Sequence, residues 1–175
     1  MSETVSVLEF DPAAARANLN GLAEILFDCV DGGASVSFMW PFDHTQSRSF
    51  WDGIVDALDD GRLRLFAASA GGEIGGTVQL WLDGPCNQKH RGDIRKLLVH
   101  RRYRRHGLAR ALMRHAEAEA RAHGLSLLTL DTVTGGAAEK LYEALEWRRC
   151  GVIPNYAKWP DGRFCDTTVF YKPLG

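Results

Sequence analysis

The run LLVHRRYRRHGLARALMR, residues 97–114, constrains this chain more than any other stretch. It reads as an apolar strand that passes through a short basic turn into an amphipathic helix, and the turn sets Arg104, Gly107 and Ala109 in the pattern R-x-x-G-x-A. The first N–H groups of a helix lack intrahelical partners and carry partial positive charge, so a helix start binds anions. Gly107 lets backbone approach a bulky anion, and the small Ala109 leaves room beside it. Arg101, Arg102, Arg104 and Arg105 add charge and forked donors that suit a pyrophosphate. A second apolar strand follows at 125–131, so strand, turn and helix stand in the order that a diphosphate-bearing cofactor requires.

The chain has 175 residues, 45% of them hydrophobic, enough to bury a full core, and it reads as one domain over 1–175. A formal net charge of −1 gives no overall drive toward nucleic acid or an anionic membrane, which makes the arginines a local feature. Use of residues 101–115 as a nucleic-acid arm is opposed by Glu117 and Glu119 on the same helix. No stretch is apolar for long enough to span a bilayer, and MSETVSVLEF lacks the basic and apolar segments of a leader, so a cytoplasmic protein is expected. Cys29, Cys86, Cys150 and Cys165 are widely spaced and read as reduced thiols. No histidine falls in a ligand pair, so no metal site is expected.

Hydrophobic periodicity predicts a strand over 5–10 and a helix that starts at Asp11-Pro12 and reaches about Cys29, its stripe formed by Leu19, Leu22, Ile25 and Leu26. Residues 32–42 mix Gly and Ser with aromatics. They read equally as a loop buried by its own rings or as the wall of a substrate pocket. Ser35 there is no hydrolase nucleophile, because the second Gly of the elbow and the feeding strand are both missing. A second helix is expected over 43–60, then strands 62–69 and 74–82 joined at Ala70-Gly71-Gly72-Glu73, a hairpin turn with no helix behind it to make a phosphate loop. A polar loop at 83–91 leads to the central strand, 92–100, and the helix after the basic turn covers 107–123. Strand 126–131, helix 136–145, strand 147–153, a turn at Trp159-Pro160-Asp161-Gly162 and strand 164–172 complete an α/β chain with a mixed sheet.

The 97–114 stretch resembles motif A of the Gcn5-related N-acetyltransferases, the GNAT superfamily, which carries Q/R-x-x-G-x-G/A between the central strand and the cofactor helix. The resemblance implies the GNAT fold, a mixed and mostly antiparallel twisted sheet with a splayed central strand pair, flanked by about four helices. It implies acetyl-CoA as cofactor, with coenzyme A as product. Pantetheine would lie on the main chain of Leu97 and Val99 beside a bulge in the central strand. Pyrophosphate would meet the N–H groups of Arg104, Arg105, His106, Gly107, Leu108, Ala109 and Arg110. Residues 137–147, AAEKLYEALEW, are similar to motif B of the superfamily, in which a tyrosine protonates the departing thiolate. That role would fall to Tyr142, which on spacing alone reads as a packed core aromatic. Two positions depart from the pattern, Gly135 where many members have Asn and Glu146 where Gly is usual.

An amine acceptor is protonated at neutral pH, so acetyl transfer needs a proton acceptor. Asp93 at the start of the central strand and Asp131 at the end of the next are the candidates, against the alternatives of a solvated strand-end charge and a turn-capping carboxylate. Alternation puts Arg95 on the face of Asp93.

Segments 30–39, 93–99, 130–132 and 160–163 are similar to the tabtoxin-resistance acetyltransferases, which acetylate the amino group of a toxic β-lactam amino acid and carry Glu where Asp93 stands. That resemblance implies a small amino-acid-like amine as acceptor, with a toxin or antibiotic as the narrower case, and Ser35, Phe38, Arg95, Tyr156 and Arg163 on the acceptor side. A protein or peptide N-acetyltransferase and a non-catalytic acetyl-CoA-binding regulatory module are the alternatives. A homodimer is compatible with this reading.

Overall fold

A computed structural model describes residues 4–175, so residues 1–3 of the expected domain lie outside it. In chain order the elements are β1 (Ser6–Phe10), α1 (Pro12–Ala17), α2 (Leu19–Asp31), α3 (His44–Asp59), β2 (Leu63–Ala70), β3 (Glu73–Trp81), β4 (Arg91–Val99), α4 (Leu108–Ala122), β5 (Leu127–Val133), α5 (Ala137–Ala144), β6 (Arg148–Lys158) and β7 (Phe164–Pro173). The strands form one seven-stranded sheet in the order β1-β2-β3-β4-β5-β7-β6, parallel only between β4 and β5. Neighbouring residues of β2 serve opposite faces, as a pleat requires. Leu65 and Ala67 meet Leu22, Ile25, Leu26, Trp51 and Ile54 of α2 and α3. Phe66 and Ala68 join Val78, Leu80, Leu128 and Phe170 beneath Leu108, Leu112, Met113 and Ala116 of α4.

Two expected elements differ. The single helix after Asp11 breaks at Asn18, whose side-chain amide donates to the carbonyl of Ala14 at 2.9 Å and whose backbone leaves the helical basin at φ −106, ψ 15. Asn competes for backbone partners in this way, which gives five α-helices among the described residues where about four were expected. The strand expected over 147–153 runs on to Lys158, because Asn155 (φ 53) is accommodated as a bulge rather than a turn. Its N–H is held by the Asp166 carboxylate at 2.9 Å.

α5 exits through Glu146 in the left-handed conformation at φ 63, where Gly would cost less. The exit is pinned from outside the helix. Lys172 Nζ donates to the Leu145 carbonyl at 2.7 Å and to Glu117 Oε2 at 2.6 Å, and Trp147 Nε1 donates to Glu117 Oε1 at 2.8 Å. Glu117 is thus a buried partner rather than a surface charge of α4. Lys172→Met should lower unfolding stability by about 2 kcal/mol, because Glu117 keeps the Trp147 N–H but loses its counter-charge. Urea denaturation would measure it, and an unchanged midpoint would show that the pair is neutral.

Candidate active site

The central strands separate partway along their length. β4 pairs with β5 only through Arg91, Gly92 and Asp93 opposite Leu127, Leu128 and Thr129, after which β4 follows β3 and β5 follows β7. On the other side of β4 the register with β3 shifts between Thr77 and Gln79, and Lys96 takes φ +50, so the bulge lies at Lys96 and Leu97. The gap opens on a cleft of about 610 Å³. Leu97, Leu98 and Val99 of β4 form one wall, Ala137, Ala138 and Leu141 of α5 another, and Cys29, Ala34 and Val36 a third.

The start of α4 closes one end. Gly107 is its N-cap at φ +87, with no side chain capping the helix and no acidic residue in the first turn, so the first N–H groups stay available to an anion. Arg104, Arg105, Gly107, Leu108, Ala109 and Arg110 all line the cleft, as do Leu97 and Val99. His106, expected among them, is exposed and is not part of the lining. Arg101 and Arg102 are spent elsewhere. Arg101 donates through its main-chain N–H to Asp28 at 2.7 Å, and its guanidinium pairs with Asp28 and Asp31. Arg102 pairs with Glu73 at 2.7 Å. Tyr103 was not singled out by the sequence, yet it lines the cleft, and its hydroxyl donates to Glu73 at 2.6 Å. It fits because Gly75 has no side chain: a Cβ there would lie 2.5 Å from the Tyr103 ring. A Gly-Gly pair inside a strand is the signal that could have announced such a close approach.

The proton-handling candidates occupy different environments. Tyr142 is 5% exposed, its ring 5.8 Å from Phe170 and 6.1 Å from Trp147 between centroids, and it is not part of the cleft lining. Burial and then the charge of Asp131 push its hydroxyl pKa up, so it stays protonated through the neutral range. Asp131 reaches solvent, yet desolvation raises its carboxyl above the ordinary value, against the opposing pull of Lys96 and Arg95. Asp93 is committed to the junction of the strands. Its Oδ1 accepts from Arg91 Nη1 at 2.5 Å and from the Thr129 hydroxyl, and its Oδ2 lies 3.5 Å from Arg95.

On the expected acceptor side, two sequence segments more than a hundred residues apart meet. Ser35 Oγ donates to the carbonyl of Lys158, 123 positions on, at 2.7 Å, and Trp40 N–H donates to the Pro160 carbonyl at 3.0 Å. The Ser35 hydroxyl therefore tethers the loop. Phe38 packs on Phe42 at 4.7 Å and edge-on to Phe50 at 5.4 Å. Arg95 lies over the Trp81 ring at 4.8 Å with its guanidinium half exposed. Arg163 pairs with Asp161 of its own turn at 2.8 Å, and Tyr156 stands 57% exposed on β6. Lys96, which sequence reasoning passed over, is held by loop 33–42, and burial with Arg95 nearby pushes its pKa down to about 8.

A strand pair splayed beside an uncapped, arginine-flanked helix start is the arrangement expected of an acetyl-CoA-dependent transferase. The sequence profile of the acetyltransferase (GNAT) family matches residues 21–147, and the chain belongs to that family. Its fold is shared by an N-acetyltransferase from Staphylococcus aureus Mu50 (TM-score 0.80, 16% identity, 98% of this chain and 99% of that one). It is shared by YncA of Salmonella typhimurium with its cofactor acetyl-CoA (0.78, 17%, 98% and 94%). A ribosomal-protein-alanine N-acetyltransferase from Brucella melitensis is similar too (0.79, 19%, 96% and 99%). Among the described residues no helix is long and apolar enough to cross a membrane.

Proposed function

We propose that this acetyltransferase uses acetyl-CoA to acetylate the primary amine of a small amino-acid-like acceptor by direct transfer. Acetyl-CoA supplies an activated acetyl thioester. The N–H groups from Gly107 to Arg110, with Arg104 and Arg105 beside them, suit its diphosphate, and the apolar trough between Leu97–Val99 and Ala137–Leu141 suits a pantetheine arm. In this reading Asp131 accepts the ammonium proton, directly or through water, and Tyr142 donates a proton to the departing sulfur. Asp93 holds β4 to β5 at the fork and orients Arg95, through whose guanidinium an acceptor carboxylate would be bound.

The observation that supports a small acceptor is the pair of tethers, Ser35 to Lys158 and Trp40 to Pro160, which joins loop 33–42 to the end of β6 and the β6–β7 turn. The narrower idea of a toxin or antibiotic, including a β-lactam amino acid, rests on the resemblance at 30–39 and 160–163. Thiol release should be compared across free amino-acid analogues, β-lactam amino acids, simple amines and N-terminal or lysine-containing peptides. Turnover of amino acids above the other acceptors is expected. Peptide turnover with none of small amines would move the protein to a peptide or protein acetyltransferase, and binding of acetyl-CoA with no turnover would leave a regulatory module.

The proton assignment has its own test. A carboxylate must be ionised to accept a proton, so activity should rise with pH through the Asp131 pKa, which lies above the ordinary 3.8. Asp131→Asn should remove this acidic limb and lower turnover by about 10-fold to 10²-fold with acetyl-CoA binding kept. An unchanged pH profile would reassign the proton to solvent.

A further inference from the structure

The bulge in β4 does more than open a gap for the cofactor. A bulge re-aims the side chain it carries, and Lys96, at φ +50, is sent toward loop 33–42. There its ammonium donates to the Val36 carbonyl and to the Ser37 hydroxyl, both at 2.9 Å. The rings of Phe38 and Phe50 stand at 5.8 Å each. A half-buried ammonium beside aromatic rings is costly unless its donors are met, so the loop and the lysine hold each other in place. The loop has need of such a partner, because Ser37 is itself left-handed at φ 83. The Ser35 hydroxyl and the Trp40 main chain tie the loop to the β6–β7 side, and the Trp40 indole and the Ala34 N–H tie it to the Val30 and Cys29 carbonyls of α2. Lys96 alone among these contacts joins the loop to the strand whose next residue, Leu97, lines the cofactor cleft, and Ala34 and Val36 line that same cleft.

We propose that Lys96 is a positioning residue for the acceptor: seated in the β4 bulge, it fixes residues 34–38 as the wall against which the amine is held in line with the thioester. This rests on the acetyl-transfer reading above. The diphosphate and pantetheine contacts come from α4 and from β4 main chain, which a change in the Lys96 side chain leaves in place. Acceptor binding should therefore suffer more than cofactor binding.

The variant Lys96→Met keeps length and apolar bulk while removing charge and donors. It should raise the acceptor KM by about 10-fold or more, the scale of a lost charged hydrogen bond, while the acetyl-CoA Kd from calorimetry stays within about twofold. Ser37→Gly, which suits φ 83, should produce a smaller rise, and adding it to Lys96→Met should add little, because both remove one contact. Chymotrypsin cleavage within 38–42 should accelerate in both variants. Equal losses for acceptor and cofactor, additive effects of the two substitutions, or unchanged cleavage would each overturn the proposal. Proteolysis needs no turnover, so it judges the loop contact even if no amine is acetylated by the parent protein; in that event the acetyl-transfer reading fails and accelerated cleavage still upholds the tether. If Lys96→Met does not fold, Ser37→Gly decides by the same readouts.

Discussion

Gly107→Glu is expected to weaken acetyl-CoA binding by about 10³-fold, roughly 4 kcal/mol, in a chain that still folds. Gly107 sits at φ +87, and a non-glycine residue there costs about 1–2 kcal/mol. Apart from its chain neighbours, nothing lies within 4 Å of where its Cβ would be, so the side chain has space and the fold is not overpacked. The larger loss is electrostatic. A carboxylate at the N-cap satisfies the same N–H groups that would meet the diphosphate, and its charge repels that group, while helix α4 itself gains from a negative N-terminus. Calorimetry with circular dichroism separates these effects. Gly107→Ala, which brings the backbone strain without the charge, should weaken binding by only about 10-fold. Unchanged affinity in folded Gly107→Glu would remove the diphosphate from this end of the cleft.

Tyr142→Phe is expected to lower turnover by about 10²-fold or more, the usual scale for loss of a general acid. It deletes one hydroxyl and keeps the ring that packs against Trp147 and Phe170, so stability and acetyl-CoA affinity should stay near those of the parent. The raised hydroxyl pKa makes the acid form persist through neutral pH, and the loss should therefore be the same at pH 6 as at pH 8. Turnover close to the parent value would make Tyr142 a core aromatic, the reading its spacing alone supports.

The features that could be read from the sequence are those set by neighbours along the chain. The R-x-x-G-x-A turn is one, since a glycine before a helix and the periodicity of Leu108, Leu112 and Ala116 are local facts, and the structure places the turn in the lining of the cleft. The start of α3 is another: Asp43 and Gln46 form a reciprocal capping box within one turn. The β2–β3 hairpin follows from Gly71 and Gly72 at φ 64 and 90.

What the tertiary structure alone decided are the partners of side chains whose types were plain. Arg101 belongs to the basic turn by sequence, yet Asp28, 73 positions away, takes its guanidinium and Arg104 and Arg105 are left at the cleft. Glu117 looks like a surface acid on α4 until Lys172, 55 positions on, is brought against it. The family resemblance implies a bulge in β4, but its place depends on the register with β3, and only that register shows that Lys96 turns toward the loop. The physical reason is the same in each case. Helix periodicity, caps and glycine torsions act over a few residues and are written in short runs, whereas an ion pair or a bulge depends on which strands and helices meet, which is settled when the whole sheet is assembled.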